Sequence, residues 1–161
     1  MTITETCNQK KLADRESALR TIDREIETIS KLKDSVALDN LSLALDIMQE
    51  ANGRIIITGM GKSGHIGKKI AASLASTGTP SFFVHPAEAS HGDLGMLTED
   101  DVVLAISNGG ESKELSDILA YCKRNNIPLI AMTKNPDSSL GKAGDYLLKL
   151  PSSAEACPIG M

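Results

Sequence analysis

The run Gly59-Met60-Gly61-Lys62-Ser63-Gly64 joins backbone amides that a ligand can approach closely to an ammonium and a hydroxyl. Those are the properties of an anion-binding turn at a helix start. A second polar run, Ser107-Asn108-Gly109-Gly110-Glu111-Ser112, offers hydroxyl, amide and backbone donors suited to a phosphate. Here Glu111 reads as a helix cap, while Glu114, one helical turn further on, is free to reach a pocket mouth. Between these runs, His85, Glu88, His91 and Asp93 supply imidazole and carboxylate for acid-base work or a metal. His85, beside strand apolars, reads as a packing histidine. His91 is the candidate pocket or zinc ligand, although no ligand set is complete enough to require a metal. His65 reads as a cap residue or a minor ligand contact. Glu155, in Ala154-Glu155-Ala156-Cys157-Pro158, points either into a pocket or to solvent. No histidine is placed to activate Cys157, which reads as packing.

These runs need elements to hold them. Ile55-Ile56-Ile57-Thr58 is a β-branched run suited to a strand buried on both faces. Ser63 to Ser76 carries Ile66, Ile70, Ala71 and Leu74 at helical spacing, and Gly78-Thr79-Pro80 ends it. Further strands are predicted at 81–84, 101–106, 127–132 and 146–150. Helices are predicted around Leu115, Ile118, Leu119 and Cys122 and over 138–143. Alternating strands and helices predict an α/β fold, an open five-stranded parallel sheet with helices on both faces. In such a sheet ligands bind at the carboxyl ends of the strands, where four polar, glycine-rich segments converge.

Ahead of the sheet, Leu12, Leu19, Ile22, Ile26 and Ile29 fall on one helical stripe, and Leu38, Leu41, Leu45 and Met48 on another. Both stripes suit helices that cover a core, and the first equally suits a contact between subunits. The expected organisation is one domain over 1–161, with a helical region over 1–50 and an α/β core over 51–161.

Composition narrows the function. The 161 residues are 41% hydrophobic and 24% charged with a net charge of −4, which argues against bulk disorder and against a strongly basic nucleic-acid binder. Aromatics are 2% with no Trp, so no stacking platform for single strands exists. Three cysteines without CxxC spacing support neither a disulfide scaffold nor a zinc ribbon. No apolar stretch approaches the roughly 20 residues of a membrane span, so a soluble, cytoplasmic chain is expected. The first glycine run is not a dinucleotide fingerprint, lacking an acidic residue after the second strand. It is not a Walker A motif either, since Ile56 stands where its first Gly is needed.

Taken together, Gly59-Met60-Gly61-Lys62-Ser63-Gly64-His65-Ile66-Gly67, the run from Ser76 to Pro86, His91-Gly92-Asp93-Leu94-Gly95 and Glu155-Ala156-Cys157-Pro158 resemble the sugar isomerase (SIS) domain of bacterial arabinose-5-phosphate isomerases. The resemblance covers about 50 to 160. It implies a three-layer SIS sandwich, a homotetramer, no cofactor, and a sugar phosphate as the small-molecule partner, with neither nucleic acid nor membrane involved. The implied reaction interconverts D-ribulose 5-phosphate and D-arabinose 5-phosphate, toward Kdo and hence lipopolysaccharide or capsule. Matched by position, the catalytic residues fall on Lys62, Glu114 and Glu155. Phosphate and substrate contacts fall on Gly61, Ser63, His91, Ser107, Asn108 and Ser112. Such an isomerisation needs a base and a group that stabilises the enediolate. Lys62 suits the latter and either glutamate the former.

Two departures stand out. Gly109 replaces the second serine of the family's Ser-Asn-Ser-Gly. The family's later Thr/Ser-rich segment, two helices, a catalytic histidine and CBS modules do not occur in these residues, so the resemblance reads them either as an isolated, truncated SIS core or as a portion of a longer chain. Other readings of the same residues are a non-catalytic phosphosugar-binding or regulatory SIS module and an inert structural fragment.

Overall fold

The structure, a computed structural model, describes residues 3–33 and 37–152. The chain divides into two compact units, Val36–Leu150 and a smaller one formed by Met1–Ser35 and Pro151–Met161. In the smaller unit, helix α1 spans Ile3–Leu32. Leu12, Leu19, Ile22, Ile26 and Ile29 on its stripe are each 49–61% exposed.

The larger unit is built on five parallel strands: β1 (Ile55–Gly59), β2 (Ser81–Val84), β3 (Val102–Ile106), β4 (Leu129–Thr133) and β5 (Tyr146–Lys149). Their order is β2-β1-β3-β4-β5. Helices α2 (Ala37–Glu50), α3 (Gly61–Ser76), α4 (Pro86–Ser90), α5 (Ser116–Asn125) and α6 (Ser139–Ala143) complete the unit. Every residue of β1 and β3 is buried, as continuous apolar runs require when both faces are covered.

Alternation along each strand sends residues to two cores. Ile55, Ile57, Val102, Leu104 and Ile130 join Ala44 of α2 and Ala71 of α3 on one face. Ile56, Val103, Ala105 and Leu129 join Ala89 of α4, Ile118 and Cys122 of α5 and Leu140 of α6 on the other. The expected three-layer α/β sandwich is therefore present. Helix α2 lies against β5, where the Asn40 side-chain amide donates to the Leu147 carbonyl at 2.9 Å.

Two differences from the sequence reading have physical causes. Helix α3 turns Gly64, Gly67 and Ala71 inward and leaves Ile66 59% exposed, because β1 approaches too closely for a large side chain. A Cβ on Gly67 would stand 3.0 Å from Ile57 Cγ2 and 3.1 Å from Phe83 Cε2. The polar stretch after β2 is not merely a loop: it contains α4, with Pro86 at its start, and a 3-10 turn over Asp93–Met96.

At the amino edge of the sheet, Asp101 is 1% exposed and accepts from Arg54 N, Nε and Nη2 at 2.8, 3.0 and 2.9 Å and from Thr98 N at 2.8 Å. Burial pushes this carboxyl up, but hydrogen bonds from Arg54 and Thr98 outweigh it and hold the group below its usual range. Arg54 also donates to the Met96 carbonyl, so the same cluster fastens the return of the segment after β2.

Candidate active site

The strand order reverses between β1 and β3, since the chain leaves β1 toward β2 on one side and places β3 on the other. In doubly wound sheets the crevice outside the carboxyl ends at such a reversal is the ligand site. The two polar runs leave the sheet there, from neighbouring strands that pair through Gly59 and Ile106.

The β1–α3 turn is shaped by close approach. Gly61 has φ 54°, a conformation that favours glycine. A Cβ on Gly64 would lie 2.6 Å from the Gly59 carbonyl oxygen. Met60 caps α3 without a side-chain hydrogen bond, and the first turn holds no acidic residue. Lys62 is exposed in that turn, where the helix field disfavours a cation. Amide dipoles and ammonium therefore present positive potential together, which favours an anion. Ser63, half-buried, follows.

The β3 run is fixed instead by hydrogen bonds. Ser107 is buried; its hydroxyl accepts from Gly110 N at 3.1 Å and lies 3.0 Å from the Ser112 hydroxyl. The Asn108 carbonyl accepts from Lys134 N and from the Thr133 hydroxyl, both at 3.1 Å, which leaves the Asn108 side chain exposed. Glu111 departs from expectation. It caps not the helix that follows it but α6, accepting from Ser139 N at 2.9 Å and Ser139 Oγ at 2.6 Å. The Ser139 hydroxyl and amide, helped by Lys142, hold its carboxyl below the usual range. Its own chain continues into a 3-10 turn at Lys113–Leu115 that carries the exposed Glu114, and then into α5.

After β2, His85 caps α4 by accepting from Ala87 N through Nδ1 at 3.3 Å, and its ring meets Phe83 edge-on with centroids 6.3 Å apart. That matches its reading as a packing histidine. His91 ends α4 and is exposed. Helix α4 packs against the Lys113–Leu115 turn, so the segments bearing His91 and Glu114 are neighbours. Among the described residues no three His, Cys, Asp or Glu side chains converge to hold a metal ion, so zinc at His91 has no ligand set there. A hollow of about 90 Å³ opens beside Gly59, Gly61 and Gly64, lined also by His65, Lys68 and His85. A larger cleft of about 610 Å³ lies at the amino ends of β4 and β5. It is remote from the strand-end donors, and its Cys122 thiol is pushed up to about 12 by burial, with Asp145 adding to the effect.

One edge of the sheet thus carries Gly61, Lys62, Ser63, Ser107, Asn108 and Ser112, with His91 and Glu114 on adjoining segments. Glu155 and Cys157 lie outside the described residues. Sequence reasoning missed the grip of Thr133 and Ser139 on the β3 run. Both residues belong to other segments, and only the turn residues Asn135-Pro136-Asp137 preceding α6 hinted at a structured support.

A parallel sheet with this reversal defines a doubly wound α/β domain with its crevice at the carboxyl ends of β1 and β3, and the SIS domain family model matches residues 47–161. The chain belongs to the SIS domain family. It is 52% identical over 145 residues to arabinose 5-phosphate isomerase KdsD of Pseudomonas aeruginosa, across 90% of this chain and 44% of that protein. It is 51% identical over 137 residues to KdsD of Escherichia coli K12, across 85% of this chain and 42% of the relative. The chain spans less than half the length of these curated relatives. Among solved structures, an E. coli CFT073 protein in complex with arabinose 5-phosphate matches with a TM-score of 0.83 and 37% identity, covering all of this chain and 81% of the other. A sugar-phosphate isomerase candidate from Listeria monocytogenes matches with a TM-score of 0.89 and 32% identity, over 94% and 79%.

Proposed function

We propose that the chain is an aldose-ketose isomerase that interconverts D-ribulose 5-phosphate and D-arabinose 5-phosphate, supplying Kdo for lipopolysaccharide or capsule in the cytoplasm. The observation that carries this reading is the pairing of the Lys62 turn with the Ser107–Ser112 run across the β1/β3 reversal. Kinship with the KdsD proteins and with the structure bound to arabinose 5-phosphate supports the choice of sugar.

In this reading the phosphate rests on the amides at the start of α3 and the hydroxyls of Ser63, Ser107 and Ser112. A carboxylate, Glu114 or Glu155, takes the proton from C1 of ribulose 5-phosphate and returns it to C2. Meanwhile the hydroxyl proton passes from O1 to O2, leaving the C1 aldehyde. Lys62 stabilises the enediolate oxygen between the two transfers. Gly61 allows the substrate close to the backbone, and Asn108 and His91 contact its hydroxyls. No cofactor or metal is needed for this proton shuttle.

The whole chain is read as one SIS domain. Residues 1–50 provide the helical region and 51–161 the α/β core, and the exposed stripe of α1 joins subunits into a homotetramer. That stripe holds five exposed apolar residues at near-heptad spacing, a pattern that suits helix-helix contact.

Lys62→Ala tests the chemistry. Turnover is expected to fall at least about 100-fold, while affinity for arabinose 5-phosphate changes much less. An equal loss of both would make Lys62 a phosphate anchor, and unchanged turnover would remove it from the reaction.

A further inference from the structure

We propose that Glu111 is a positioning residue: by clamping the Ser107–Ser112 run onto the start of α6, it sets the geometry of the phosphate cradle. The inference rests on the phosphate reading of that run given above.

The N-terminal amides of α6 are divided between two kinds of acceptor. Gly141 N donates to Ser138 Oγ at 3.1 Å, an ordinary cap. Leu140 N donates to the Gly110 carbonyl at 3.0 Å, and Ser139 N to Glu111 Oε1 at 2.9 Å. Two consecutive helix amides are thus spent on the β3 run, and the Ser139 hydroxyl adds a third donor at 2.6 Å. The Gly110 backbone sits hard against Ser138, with φ 77° and no room for a Cβ beside the Ser138 hydroxyl.

Glu111 stands between this clamp and the candidate phosphate hydroxyls. The next residue is Ser112, whose hydroxyl faces that of Ser107 at 3.0 Å, and Ser107 in turn accepts from Gly110 N. A shift of the Glu111 backbone therefore moves the Ser112 hydroxyl directly and unsettles Ser107 through Gly110. Glu111 is exposed and needs no contact with substrate to act in this way. The carboxylate accepts two charge-assisted hydrogen bonds, the kind strong enough to hold a glycine-rich segment in one conformation.

The test titrates the 161-residue chain with inorganic phosphate and with arabinose 5-phosphate. Variants Glu111→Ala, Glu111→Gln, Ser139→Ala and the Glu111→Ala/Ser139→Ala double are compared with the parent. Losing the clamp is expected to weaken phosphate binding about tenfold in Glu111→Ala and about threefold in Ser139→Ala, which keeps the amide contact. The double variant should bind no worse than Glu111→Ala, because both remove the same link. Gln retains the shape and one acceptor and should rescue most of the loss. In steady state KM should rise with kcat nearly unchanged.

Parent-like phosphate affinity in Glu111→Ala overturns the inference, as do additive effects in the double variant. Should Glu111→Ala fail to fold, Ser139→Ala decides, and parent affinity in that variant is equally fatal. A parent chain that binds neither phosphate nor the sugar overturns the phosphate reading itself, an outcome visible before any variant is made.

Discussion

The two turns that flank the β1/β3 reversal occupy equivalent places on adjacent strands but are held by opposite means. The turn after β1 is set by what its residues lack. Gly59, Gly64 and Gly67 let α3 settle onto β1 and Phe83, and the one side chain with strong chemistry, Lys62, stays exposed. The run after β3 is set by what it and its supports possess: a serine pair, a carboxylate and threonine and amide donors from β4 and α6. The turn after β1 is closed to added atoms at Gly64 and Gly67, whereas the β3 run, closed at Gly110 but open at Gly109, depends on donors and acceptors whose deletion would loosen it. The same sheet edge thus combines a sterically packed turn that carries an exposed cation with a hydrogen-bonded bed of hydroxyls.

Of Gly64→Ala, Thr133→Val, Thr58→Val and Gly109→Ser, the first should cost the most stability. Its Cβ would meet a backbone oxygen at 2.6 Å, and relieving that overlap is expected to cost about 2 kcal/mol in urea unfolding. A loss below about 0.5 kcal/mol would show that the first turn is not set sterically.

The two strand-end threonines sharpen the contrast. Thr133 and Thr58 are both fully buried, but Thr133 donates to the Asn108 carbonyl and accepts from Asn135 N. The Thr58 hydroxyl has no partner among the described residues. Thr133→Val is expected to cost about 1–2 kcal/mol, and Thr58→Val to be neutral or slightly stabilising, measured by the same unfolding curves. Equal losses would mean that both turns rely on polar contacts.

Gly109→Ser probes the β3 run by addition. Gly109 is exposed, and a Cβ there meets nothing within 4 Å, so the β3 run has space for the hydroxyl that the family resemblance expects. Phosphate affinity should rise by about three- to tenfold, the worth of one hydrogen bond. A fall would show the run to be as sterically closed as the turn after β1.

Much of this contrast was legible in the sequence, and unevenly so. The β-branched run at Ile55–Ile57 and the glycines after it announce a buried strand and a tight turn, because backbone conformation is a local property. The β3 run was legible as a donor-rich segment, but its support was not. Glu111 four residues beyond Ser107 looks like a local cap, and only the fold brings Ser139 to it across 28 positions. Helix α3 misled in a similar way: Ile66 completes an apolar stripe by spacing, yet the small residues Gly64 and Gly67 form the buried face. Periodicity finds the helix but does not reveal how closely its neighbour approaches. Helix α4 escaped notice because five residues are too few for a periodic signal.

The strand order also has a kinetic side. Neighbours β1 and β3 pair Ile55 with Val102, 47 residues on, whereas β4 and β5 pair Ile130 with Tyr146 only 16 residues apart. Longer closure costs little at equilibrium, about 1 kcal/mol between these two pairings. It weighs more on the rate, since distant contacts reward the chain only after its freedom has been spent. The crevice that gathers Lys62 and Ser107 depends on the most distant of the neighbouring strand pairings. Native β4–β5 structure is therefore expected to precede binding competence during refolding, so a chain can look folded by its local contacts before it can hold a ligand.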